Sequence, residues 1–324
     1  MIALPPIQAF GWSKLTAQSA IEHRLDASGA LLLRMGDLEP PFMVARARDG
    51  KGGFGDVELA RLGFTWQRVG DGWALRSPRH AADLKRAVQF YGSLALREAA
   101  AAQIDPRAVL VTMVCESGAP APDAHGWVKK PRTEQGYPNR AGENDAGDFE
   151  RDLEDWTKTG GLKSSHGLMQ TLIGTAVSVR PDVFQGWEPK LYRTALWIPE
   201  NSIKCGVGAM ASLARKVPRV RVDPHALRIA YGAGLGGLAP HANRWGVRVF
   251  DDLVPMHFVG VWNELACLTA GTCGELPSPA VPSSEPPAAV LAQPKSAWLA
   301  VGLASFALAA TSAVALATHA RRSS

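Results

Sequence analysis

Asp105-Pro106-Arg107-Ala108-Val109-Leu110-Val111-Thr112-Met113-Val114-Cys115-Glu116-Ser117-Gly118 reads as one helix with a marked start. Asp105 is an N-cap whose carboxylate accepts from N–H groups left unpaired at a helix start, and Pro106 suits the first turn because it has no N–H to lose. Val109, Leu110, Met113 and Val114 recur at helical spacing and face inward. Apolar residues precede Glu116 and small ones follow it. A carboxylate there gains nothing from the helix dipole, whose C-terminus is the negative pole. Partial burial at such a place favours the protonated form of a carboxylic acid, which is the form a general acid needs. Taken alone, a glutamate near a helix end is ordinarily a solvated surface residue.

Working outward, the same helical periodicity continues on both sides. From Pro78 onward, Leu84, Val88, Tyr91 and Ala95 form one apolar stripe. Pro199 to Lys216 carries Ile203, Val207, Met210 and Ala214 inward. Asp223-Pro224 repeats the cap signal ahead of Leu227, Ala230 and Tyr231, and Gly232 and Gly234 end that helix. Asp252 to Leu268 adds Phe258, Val261, Trp262 and Leu265. The pattern predicts one mostly α domain over residues 78–273. Residues 1–77 read as a small mixed α/β module. It has a strand within Ala30 to Met35 and a hairpin in which Phe64 to Val69 and Trp73 to Ser77 flank Gly70-Asp71-Gly72. The glycines at 50, 52, 53 and 55 imitate a phosphate loop, but no strand-to-helix context surrounds them and no Lys-Ser/Thr pair closes them.

The C-terminal end has a different character. Residues 274–295 hold Pro277, Pro279, Pro282, Pro286, Pro287 and Pro294 among Ser and Ala, the composition of an extended spacer. After it, AWLAVGLASFALAATSAVALA over Ala297 to Ala317 contains no charge. At about 1.5 Å per residue it reaches about 30 Å, the thickness of a hydrocarbon core. A single transmembrane helix is therefore expected over 296–318, followed by a basic tail over 319–324. Arg321 and Arg322 favour a cytoplasmic C-terminus, with the body on the other side of the membrane. The first residues show no secretory signal peptide: no Lys or Arg precedes Lys14, and Lys14 begins no long apolar run.

The 324 residues carry a net charge of +5, which suits an anionic partner such as a wall polymer or membrane surface and does not point to nucleic acid. The 4 cysteines exclude a disulfide-dense scaffold. Cys267 and Cys273 can bridge or stay reduced, and Cys115 reads as a small core hydrophobe. No metal-ligand spacing is evident, and a neutral hydrogen-bonding role suits His166.

Two further clusters follow Glu116. Ser165-His166-Gly167-Leu168-Met169-Gln170-Thr171 places a glycine, which lets backbone approach a ligand, beside a glutamine that both donates and accepts. Ala230-Tyr231-Gly232-Ala233-Gly234 is a helix end opening into a glycine loop. In this order, E-S-G, G-L-M-Q and A-Y-G-A-G resemble the catalytic domain of soluble lytic transglycosylases, a family related to goose-type lysozyme. Asp105-Pro106, Asn201-Ser202-Ile203 and Asn243-Arg244-Trp245 look alike too, so the resemblance spans about residues 95–266. The longer G-L-M-Q-T-L-I-G-T-A is similar to versions found in phages and their hosts.

The resemblance implies an α+β, lysozyme-like catalytic domain acting on peptidoglycan glycan strands without a cofactor, on the cell-wall side of the membrane. It implies Glu116 as catalytic acid, with Ser117 beside it. Gln170 and the backbone of Gly167, Leu168 and Met169 would line the saccharide groove, with Tyr231 near the acid. The family usually has Asn where this chain has Gly232. A long insertion, residues 120–163, separates Glu116 from Gly167. Lys129, Lys130 and Arg132 come first in it, then Glu143, Asp145, Asp148, Glu150, Asp152, Glu154 and Asp155. It reads as a solvated loop or as a lid whose Glu134 or Tyr137 touches substrate.

A glycosidase that uses water needs two carboxyl groups flanking the bond. A transglycosylase needs one, which protonates the leaving oxygen and then takes the proton of the sugar's own C6 hydroxyl. No second carboxylate is evident near Glu116 in sequence. The expectation is a transglycosylase leaving 1,6-anhydro-muramic ends. A muramidase, drawing a second carboxylate from Asp145 to Asp155, and a wall-binding protein without turnover are the alternatives.

Overall fold

Leu31, Leu32 and Leu33 follow one another in a strand and are all 0% exposed, so both faces of that strand are covered. The computed structural model, which describes residues 3–15, 21–36, 45–48, 54–57, 63–128, 131–132, 165–238 and 249–271, shows how. The N-terminal strands are β1 (Ser13–Lys14), β2 (Glu22–Leu25), β3 (Leu31–Arg34), β4 (Ala45–Arg48), β5 (Phe54–Val57), β6 (Thr65–Val69) and β7 (Gly72–Arg76). An antiparallel sheet has the order β1-β2-β3-β7-β6, and β4 and β5 pair separately. The central position of β3 explains the unbroken leucine run. On one face Leu31 and Leu33 join the main core. On the other, Leu32 lies beside Gly72, at a spot covered by the Trp12 ring. The guanidinium carbons of Arg24 and Arg34 lie 4.9 and 4.2 Å from that ring's centre, and its Nε1 donates to Asp71 Oδ2 at 2.9 Å.

The expected hairpin is present, with Val69 opposite Gly72 across Gly70-Asp71. Among the described residues of 1–77 the expected module shows seven strands and no α-helix. Its apolar runs are short and are cut by turns at Gly29, Gly36 and Gly70, all at positive φ.

The helices and short strands that follow are α1 (Ala81–Ala102), α2 (Pro106–Ser117), β8 (Pro131–Arg132), β9 (Ser165–His166), β10 (Thr171–Leu172), α3 (Ile173–Val179), α4 (Tyr192–Trp197), α5 (Pro199–Lys216), α6 (Pro224–Ala233) and α7 (Val249–Ala270). Local chemistry sets the starts of α2 and α6. Asp105 Oδ1 accepts from Arg107 N at 2.8 Å, and Asp223 Oδ1 accepts from Ala226 N at 3.0 Å. Gly118, at φ 72°, closes α2 by donating to Val114 O at 2.9 Å. Helix α2 packs against α1, α6 and α7, and Val109, Leu110, Val111 and Met113 are fully buried.

The boundary drawn at residue 77 separates two kinds of secondary structure but not two cores. Leu31, Leu33, Phe64 and Leu75 of the sheet share one cluster with Leu84, Leu110, Met113, Phe258 and Trp262 of the helices. Three successive residues of α7 fasten the sheet. Trp262 Nε1 donates to Gly29 O at 2.9 Å. The Asn263 amide accepts from Leu31 N at 2.8 Å and donates to Leu31 O and Leu75 O at 3.1 Å each. It thus serves backbone groups just beyond the paired stretch of β3 and β7. Arg76 Nε and Nη2 reach Glu264 Oε1 and Oε2 at 2.8 and 3.1 Å.

Cys267 is disulfide-bonded to a residue outside the described set, and Cys115 and Cys205 are free. The spacer 274–295, the apolar stretch 297–317 and the tail 319–324 also lie outside the described residues. Among those described, no helix is long and apolar enough to cross a membrane.

Candidate active site

Glu116 sits in the last turn of α2 with its side chain 11% exposed. The sequence reading left it without a counter-charge. Arg228 of α6 supplies one: its Nη2 lies 2.5 Å from Glu116 Oε1, and its own side chain is 5% exposed. Burial works against the charge on Arg228. The Glu116 carboxylate nevertheless, with smaller help from Cys115 and Tyr231, holds its pKa above the ordinary arginine value. Burial pushes the neighbouring Cys115 thiol up to about 12, so it is a neutral thiol at pH 7 and not a nucleophilic thiolate.

The G-L-M-Q segment is the turn of the β9–β10 hairpin, which pairs onward to β8. Gly167 is at φ 75°, and a Cβ there would stand 2.1 Å from Leu196 O and 2.6 Å from Ser202 Oγ, so only glycine fits. Leu168 and Met169 are 0% exposed and point into the core. Met169 N donates to Ser202 Oγ at 3.1 Å. Gln170, at φ 50°, locks the turn. Its Nε2 donates to Gly167 O at 2.7 Å, and its Oε1 accepts from Ser165 Oγ at 3.3 Å. The sequence assigned Gln170 and the Gly167 to Met169 backbone to ligand contact. In the structure the Gln170 amide, Gly167 O and Met169 N carry hydrogen bonds internal to the protein.

Ser117 is likewise turned to the helix end, where its Oγ donates to Met113 O at 2.9 Å and accepts from Ala119 N at 3.3 Å. Tyr231 is half-buried on α6. Its hydroxyl donates to Met169 O at 2.8 Å and pairs with Thr171 Oγ1 at 2.9 Å, with Thr171 as the donor in that arrangement. Burial, chiefly, pushes the phenol's pKa up, with Glu116 adding to the shift. Three segments far apart in sequence therefore meet: the end of α2, the β9–β10 hairpin and the face of α6 bearing Arg228 and Tyr231.

His166 on β9 is buried, and desolvation with help from Arg193 pushes its pKa down to about 4, so it is neutral at pH 7. Among the described residues no group of three His, Cys, Asp or Glu side chains could hold a metal ion. Glu134, Tyr137, the acidic run 143–155 and Asn243-Arg244-Trp245 lie outside the described residues.

Sequence reasoning missed Arg228, and it quoted Thr171 and Ser202 within motif stretches without giving either a role in this corner. For Arg228 a signal existed: it is the one charge in Ala226-Leu227-Arg228-Ile229-Ala230, an otherwise apolar run of helix. A charge on a buried face needs a partner. No family model matches the chain, and neither a curated protein nor a solved structure is similar to it.

Proposed function

We propose that the protein is a lytic transglycosylase that cleaves the MurNAc-β-1,4-GlcNAc bond of peptidoglycan, with Glu116 as the catalytic residue, on a lysozyme-like helical domain. The observation that supports this is the convergence of the three motif segments. Tyr231 ties α6 to the hairpin through Met169 and Thr171, and Arg228, nearly one turn earlier, holds the Glu116 carboxylate at the end of α2.

In the reaction, a protonated Glu116 donates its proton to the glycosidic oxygen as the bond from that oxygen to C1 breaks. The C6 hydroxyl of the same muramic residue then attacks C1 and returns its proton to Glu116. The products are a 1,6-anhydro end and a free C4 hydroxyl, and no water is consumed. One positioned carboxyl group that acts first as acid and then as base is sufficient for this sequence. The segment 297–317 anchors the protein, with its body on the wall side of the membrane and the proline-rich 274–295 as spacer.

Mass analysis of fragments released from purified sacculi tests the reading. Anhydro ends, lighter by one water than hydrolysed ends, are expected. Reducing ends would make the protein a muramidase, and no release at all would make it a wall-binding protein.

A further inference from the structure

Arg228 is 4% exposed, and one nitrogen of its guanidinium is on Glu116. Its Nε and Nη1 are buried and have no hydrogen-bond partner among the described residues. A guanidinium carries five N–H donors and no acceptor, so much of its bonding capacity here is unspent. Buried cations left in that condition are destabilising. The site also contains too little to compensate a change at Glu116. Cys115 and Tyr231 are the other groups near Arg228, and burial holds both neutral at pH 7. Once Glu116 takes up the proton it must donate, Arg228 is a buried cation with no counter-charge among them.

Gly232 stands one turn further along α6 and is exposed. A Cβ at this position would be 2.9 Å from Arg228 Nη1. The glycine therefore puts no side chain of its own between Nη1 and the exposed helix surface there.

We propose that Arg228, beneath the bare Gly232, forms an anion subsite beside Glu116 that accepts a carboxylate carried on the glycan. The inference rests on the glycan-cleaving reading above. The carboxylate with the right attachment is the lactyl group of N-acetylmuramic acid, which is charged only where no peptide is joined to it. Nη1 donates to this carboxylate, which supplies the charge that Glu116 gives up on protonation. The subsite thus makes the protein selective for glycan whose peptides have been removed.

The test is calorimetric titration of the full chain with the disaccharide GlcNAc-MurNAc, which lacks the scissile bond, and with the same disaccharide converted to its lactyl amide. The acid is expected to bind about ten- to hundredfold more tightly than the amide, the range for a hydrogen bond to a charged group. Arg228→Met should bring the two affinities together. Gly232→Ala, which crowds Nη1 from an exposed site, should shrink the preference in a protein whose melting temperature certifies its fold. Equal binding of acid and amide to the unaltered protein would overturn the subsite and leave the glycan reading standing. A preference that survives both variants would put the carboxylate elsewhere and overturn it as well. Failure of both sugars to bind would remove the glycan reading, and the subsite with it.

Discussion

Two Arg–Glu pairs among the described residues are buried, and they are built differently. At the seam between sheet and last helix, Arg76 meets both oxygens of Glu264 through Nε and Nη2. Beside it, Asn263 and Trp262 spend their polar groups on backbone. At the end of α2, Arg228 touches Glu116 through Nη2, and its Nε and Nη1 have no partner among the described residues. A bidentate pair with neighbours satisfied is the arrangement that fixes one geometry. A carboxylate beside unspent donors is poorly designed for stability and well placed for exchange with a ligand. The difference teaches that burial and pairing do not by themselves make two ion pairs alike. The count of arginine donors used tells them apart.

The sharpest way to break this contrast is the same substitution at each site. Glu116→Gln should lower release of fragments from sacculi by about 10²–10⁴-fold or more, because an amide cannot donate the proton. Its carbonyl oxygen can still accept from Arg228 Nη2, but the buried guanidinium loses its counter-charge, so the urea midpoint should fall as well. Glu264→Gln should affect stability alone. One N–H of Arg76 would then face an NH₂ group instead of an oxygen, at a cost of about 2–4 kcal/mol in urea unfolding with catalysis little changed. A matching loss of catalysis in Glu264→Gln would erase the distinction.

Acid sharpens the comparison by region. His166 lies in the site's hairpin, and burial pushes its pKa down to about 4. His225 lies near the sheet seam, its ring centre 4.9 Å from that of His23, and burial with a contribution from His23 pushes its pKa down to about 3, against the pull of Asp223. Both stay neutral in the folded protein while their unfolded counterparts take up protons near pH 6.5. Their contribution is whole above pH 6.5 and is lost as pH falls toward 4 and then 3, at up to about 1.4 kcal/mol per pH unit for each histidine. Urea midpoints measured at pH 7 and pH 4.5 should differ accordingly. His166→Phe and His225→Phe would show which region yields first.

The smallest effect expected is that of Tyr231→Phe. It removes the bonds to Met169 O and Thr171 Oγ1 and should cost about 1–2 kcal/mol, read as a lower melting temperature. A variant as stable as the unaltered protein would mean that α6 and the hairpin are held together by packing alone.

How far the sequence could be read depended on how far apart the interacting groups are. Helix starts at Asp105 and Asp223 were legible because the cap and the N–H it serves lie within three residues of one another. The hairpin over 65–76 was legible for the same reason, its turn being two residues long. How the N-terminal strands attach was not legible because it depends on distant cover: Asn263, Trp262 and Glu264 reach back to residues more than 180 positions earlier. At the site, sequence order brought Glu116, the G-L-M-Q segment and Tyr231 into one argument, and the three do meet. Their roles within that corner were not legible, because an amide such as that of Gln170 can serve a ligand or its own turn with equal chemical ease.

The sequence by itself therefore determined the elements whose causes are local: capped helices, apolar stripes and a tight hairpin. Tertiary structure alone decided the distant partners of Glu116, Trp262 and Asn263 and why only glycine fits at position 167. Glu116 and Arg228 are separated by 112 residues of chain and joined at 2.5 Å. Nothing in the spacing of either segment encodes that contact. It follows from α2 and α6 packing in the same core, where a charge taken out of water must find whatever opposite charge the fold brings within reach.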